Sequence, residues 1–100
     1  MKIPKKKNIY GKTWVTQYKW NLRDEKDQPV DGLCDKEHRI ILLDRAMSKE
    51  DKFRTYLHEL VHAVCYELKV DFTSVSYDVL EIVAEGLADW LFDNTNIRFK

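Results

Sequence analysis

Apolar residues recur at steps of three and four twice in the second half of the chain, while the first half carries short apolar runs broken by polar turns. Phe53, Leu57, Leu60, Val61, Val64 and Leu68 share one helical face and predict a helix of about five turns from Ser48 to Val70. Ser48-Lys49-Glu50-Asp51 marks its start as a capping box in which Asp stands for the usual Glu or Gln. Val75, Val79, Leu80, Ile82, Val83, Leu87, Trp90 and Leu91 predict a second, strongly apolar helix between Ser74 and Asn94, capped by Ser74 or Ser76.

Upstream, Trp14, Val15, Tyr18 and Trp20 mark a strand over 13–20, although its alternation is imperfect. Asp24 to Asp31, with Gln28-Pro29, reads as a loop, and Gly32-Leu33-Cys34-Asp35 leads through a polar turn into a strand from His38 to Leu43 that ends at Asp44. Strands first and helices after predict an α+β layout, with both helices packed on one face of a small antiparallel sheet.

The chemistry lies in the first helix. His58 and His62 are four residues apart, with Glu59 directly after the first. On a helix these imidazoles stand one above the other, about 6 Å apart along the axis, so both can reach one metal ion. Zinc suits such ligands. A catalytic zinc site has three protein ligands and one open position for water, and Glu59 can take the proton of that water as general base. With only three histidines in the chain, the pattern arises by chance on the order of once in a few hundred such sequences.

A third ligand has to come from elsewhere, and the second helix offers it. Asp78, Glu81, Glu85 and Asp89 form an acidic stripe that no lysine or arginine interrupts. Like charges at this spacing repel by a few tenths of a kcal/mol per pair, which a divalent cation relieves. Cys65, three residues after His62, is a competent ligand type but reads better as a small buried residue.

HExxH on one helix, followed some twenty residues later by a glutamate on a second, resembles the gluzincin metallopeptidases. The size of the chain is similar to the small bacterial and phage enzymes of the ImmA/IrrE and SprT-like kinds. The resemblance covers about residues 31–93. In the gluzincin pattern the ligand glutamate is followed four residues later by an aspartate, and Glu85-Gly86-Leu87-Ala88-Asp89 fits it. The resemblance therefore implies Glu85 as third zinc ligand, with Glu81 as its rival, and Asp89 as the acceptor that orients an imidazole, that of His58. It also implies a minimal zincin-like fold. There a sheet edge, assigned to Ile40–Leu43, binds a protein or peptide substrate in extended form.

Composition bounds the rest. One hundred residues make one domain with a single core, comprising a basic start over 1–12 that can be mobile and a tail over 94–100. That tail, with Ile97 and Phe99, could cover the cleft and make the protein latent. Nothing is apolar enough to span a membrane or act as a signal peptide, and two cysteines, Cys34 and Cys65, suit a reducing compartment, so the expected location is the cytoplasm. The alternative to a zinc endopeptidase is a catalytically silent metal-binding module for regulation or interaction. The lysines of the start leave room for nucleic acid, but no binding motif accompanies them. Spacing does not single out an oxyanion helper among Tyr56, Tyr66, Tyr77 and His38, and the oligomeric state is open.

Overall fold

The computed structural model describes residues 2–69 and 77–94, with the side chains of the last helix described for 81–89. The elements run β1 (Lys6–Ile9), β2 (Lys12–Lys19), β3 (Gly32–Asp35), β4 (Ile40–Asp44), α1 (Lys49–Glu67) and α2 (Tyr77–Asn94). This is an α+β fold in which the four strands form one sheet in the order β1-β2-β4-β3.

The start of the chain enters the sheet. Tyr10 and Gly11, with φ of 50° and 83°, close the β1–β2 hairpin, and both central residues at positive φ are what a two-residue turn of matching twist requires. Asn8 Oδ1 accepts the Gly11 N–H at 2.8 Å. The basic residues Lys6 and Lys7 are thus part of a paired edge strand, where exposed lysines also guard the edge against further pairing.

Two expectations are corrected. The sheet is mixed, because β2 and β4 pair in parallel, Val15 beside Ile40 through Lys19 beside Asp44. The chain leaves β2 through the loop to Asp31, forms β3 and returns antiparallel as β4 between β3 and β2. Ile40–Leu43 is therefore interior, and the edge on that side is β3. An interior strand buried between neighbours favours the continuous apolar run Ile-Ile-Leu-Leu found there, which an exposed edge would not.

Helix α1 packs on the sheet, and α2 packs on α1. Trp14, Ile41 and Leu43 are fully buried beneath α1, with Ile9, Tyr56 and Ala63 completing the core. Helix α1 starts as its sequence says, Ser48 Oγ accepting the Asp51 N–H at 3.1 Å. It ends at Glu67, with Leu68 as C-cap and Lys69 at a φ of 55° just beyond. Helix α2 packs on α1 through Ala84 and Ala88, both fully buried, and residues this small let the two backbones approach closely. The expected caps Ser74 and Ser76, and the tail over 95–100, lie outside the described residues. No described helix is long and apolar enough to cross a membrane.

Candidate metal centre

The close packing of α1 on α2 sets three pairs of side chains against each other at steps of four. Arg54 Nη1 meets Asp89 Oδ1 at 2.8 Å, His58 Nδ1 meets Glu85 Oε2 at 2.7 Å, and His62 Nε2 meets Glu81 Oε1 at 2.6 Å. The other oxygen of Glu81 lies 3.0 Å from His58 Nε2. One carboxylate therefore joins both Nε2 atoms. His58, His62 and Glu81 each bring one ligand atom into a group whose members are all within 4.8 Å of one another, and they are placed to bind a metal ion.

The chemistry of this donor set fits a cation. Once Nδ1 of His58 shares a proton with Glu85, the Nε2 lone pair of a neutral ring points toward a carboxylate oxygen at 3.0 Å. Lone pairs from two imidazoles and one carboxylate then converge, an arrangement a divalent cation stabilises and an empty cleft does not. Burial lowers the pKa of His62 below its ordinary value, against the pull of Glu81, and so favours the neutral ring that metals bind.

Glu59 stands beside this group and is itself buried, with an oxygen 4.0 Å from His58 Nε2. Loss of hydration pushes its carboxyl up to about 7, helped by Glu81 and Glu85 and opposed by His58 and Lys36. A carboxyl near neutrality exchanges protons readily at working pH. Gly32 of β3 is what lets Glu59 sit there: a Cβ at that position would lie 2.6 Å from Thr55 Cγ2 and 3.3 Å from Glu59 Oε2. Side chains on β3, α1 and α2 enclose a cleft of about 360 Å³ that contains His58, Glu59, His62 and Glu81. A second cleft of about 250 Å³ shares Gly32, His58 and Glu59 with it and carries Glu85 and Arg54.

The sequence expectations meet this geometry unevenly. His58, Glu59 and His62 come together as their spacing implies. On α2 it is Glu81, the rival, that reaches both Nε2 atoms, while Glu85 reaches the far nitrogen of His58 and Asp89 reaches Arg54. The cause is the antiparallel crossing, which pairs each turn of α1 with one turn of α2 and sets Glu81 opposite His62. The side chain of Asp78 lies outside the described residues, and Cys65 is not in the group. Of the described oxyanion candidates, Tyr56 is in the core, Tyr66 packs edge-on against Trp14, and the exposed His38 binds Asp35. None of the three borders either cleft. Gly32 and Lys36, which do, carried no motif to announce them.

Neither the curated proteins nor the solved structures offer a match to this chain. A family model does: that of the M78 peptidases, described as the IrrE N-terminal-like domain, matches residues 17–92. That span contains β3, β4, α1 and nearly all of α2, and with it every residue of the candidate centre. The chain belongs to the M78 peptidase family, whose general character is that of a metallopeptidase.

Proposed function

We propose that the protein is a zinc-dependent endopeptidase whose metal is held by His58, His62 and Glu81. The observation that carries this reading is the convergence of two imidazoles and a carboxylate beside a buried glutamate. Zinc bound there would supply Lewis acidity, which makes water a competent nucleophile near neutral pH. Glu85 holds the Nδ1 proton of His58 and so keeps Nε2 free for the metal. Glu59 takes a proton from the attacking water as its oxygen bonds to the peptide carbon. It then gives that proton to the departing nitrogen as the C–N bond breaks, leaving a carboxylic acid and an amine, which pass the acid proton on to become carboxylate and ammonium.

The substrate lies extended along β3. Asp44 N–H donates to the Asp31 carbonyl at 2.8 Å, and hydrogen-bonded pairs alternate along an antiparallel ladder, so Leu33 and Asp35 turn their amides to β4. Gly32 and Cys34 turn theirs to the open side, beside the cleft. A peptide added there as a further strand brings its carbonyls to the centre. Unpaired Cys34 and Cys65 suit a reducing compartment, the cytoplasm.

The test is cleavage of unfolded casein by zinc-loaded protein and by Glu59→Gln. The reading expects products from wild type, and at least a roughly hundredfold loss in Glu59→Gln with zinc retained. Equal cleavage by both contradicts the mechanism. Zinc binding without cleavage of casein or of a mixed peptide library favours a second reading, a silent metal-held interaction module. The outer face of α2, where Ile82, Val83 and Leu87 are exposed, would be its contact surface.

A further inference from the structure

Lys36 follows β3 directly and is the single lysine or arginine among the described residues lining the cleft that contains His58, Glu59, His62 and Glu81. The cleft is otherwise acidic. Its third carboxylate, Asp24, is engaged by backbone, Oδ1 accepting the N–H groups of Lys26 and Gln28 at 2.9 Å each. Lys36 is half-buried and lines the same cleft as Cys34, Glu59 and His62. It sits on the turn after β3, in the lining that the general base and the metal group share.

A peptide paired with Gly32 and Cys34 would run past this residue. When water attacks the carbonyl carbon, the π electrons move onto the carbonyl oxygen, and the water proton goes to Glu59. The full negative charge on that oxygen needs a cationic or donor partner, and Tyr56, Tyr66 and His38 line neither cleft. We propose that Lys36 is the anion-binding residue of this cleft and takes the oxyanion of the attacked carbonyl. The proposal rests on the peptidase reading. Lys36 stays protonated throughout, and the charge leaves when the C–N bond breaks.

Inorganic phosphate, a tetrahedral oxyanion, is the probe. Zinc uptake is measured first, then phosphate affinity by calorimetry, for zinc-loaded wild type, Lys36→Ala and Lys36→Arg. The expected result is equal zinc uptake by all three, with phosphate bound about tenfold or more weakly by Lys36→Ala and within about threefold of wild type by Lys36→Arg. Unchanged phosphate affinity in Lys36→Ala, or no phosphate binding by a wild type that holds zinc, overturns the proposal and leaves the metal reading intact. A wild type that takes up no zinc fails before phosphate is added, and then both fall. With any peptide the wild type cleaves, Lys36→Ala should lower kcat by about a hundredfold with KM little changed. A change in KM alone would assign Lys36 to a substrate carboxylate instead.

Discussion

Glu85 holds His58 by the ring nitrogen that faces away from the metal group, Oε2 to Nδ1 at 2.7 Å, while Glu81 one turn earlier faces Nε2 at 3.0 Å. Two glutamates at a spacing of four thus meet the two sides of one imidazole. Glu81, Glu85 and Asp89 of α2 form a ladder of partners for His62, His58 and Arg54, and these three charges, which a bare stripe would leave repelling one another, are answered from α1.

The Arg54–Asp89 rung is the outermost, with both side chains about two-fifths exposed. Asp89→Asn should cost at most about 1 kcal/mol of stability, as half-exposed ion pairs do. Zinc affinity should change less than about threefold, because Asp89 touches no histidine. Calorimetric titration checks it. A large loss of zinc affinity would return Asp89 to the role that the family pattern suggested.

Gly32→Ala places a methyl 2.6 Å from Thr55 Cγ2. The Thr55 side chain, strand β3 or helix α1 must then give way, at a cost of about 1–3 kcal/mol. Thr55→Ser removes the obstructing methyl and should recover part of that loss in the double variant, a coupling that chemical denaturation measures. Additive losses would show that the contact does not limit the approach of β3 to Glu59.

Much of this was legible in the chain. The helices were written in three- and four-residue periodicity, and Ser48 and its capping partner placed the start of α1. The centre was half legible: His58, Glu59 and His62 sit on one local element, so spacing alone brings them together. The third ligand depends on how α2 crosses α1, which neither helix states by itself, and Glu81 and Glu85 differ by a single turn. Nor did local pattern give the sheet order. Gly32–Asp35 is short and contains a glycine and an aspartate, both depleted in strands, so local pattern does not mark it as a strand of its own. Ile40–Leu43 then looked like the open edge that β3 in fact provides.

Glu59 ties stability to pH in the metal-free protein. A buried acid whose pKa rises on folding, here from 4.5 to about 7, holds its proton more tightly when folded. Its carboxyl leaves stability intact below pH 4.5 and reduces it progressively as pH rises to about 7 and beyond, by up to about 3 kcal/mol. Glu59→Gln has no such charge to bury. Metal-free Glu59→Gln should therefore gain on wild type in thermal melts between pH 5 and pH 8, and a constant difference would contradict it.

Burial pushes the Cys34 thiol up to about 12, with the charge of Glu59 acting the same way. The thiolate is the reactive form, so Cys34 of the folded protein should resist iodoacetamide at pH 8 and react only after denaturation. Mass spectrometry of the Cys34 peptide reads the outcome directly. Rapid labelling in the native state would place the thiol in water.

In the proposed centre Glu81 completes the metal group and Glu85 supports it through His58. Elemental analysis and zinc titration of wild type, Glu81→Gln and Glu85→Gln test this most directly. Near-stoichiometric zinc is expected in wild type, with its loss in Glu81→Gln and its retention in Glu85→Gln at an affinity lowered about 10–100-fold. Zinc kept by Glu81→Gln and lost by Glu85→Gln would contradict it.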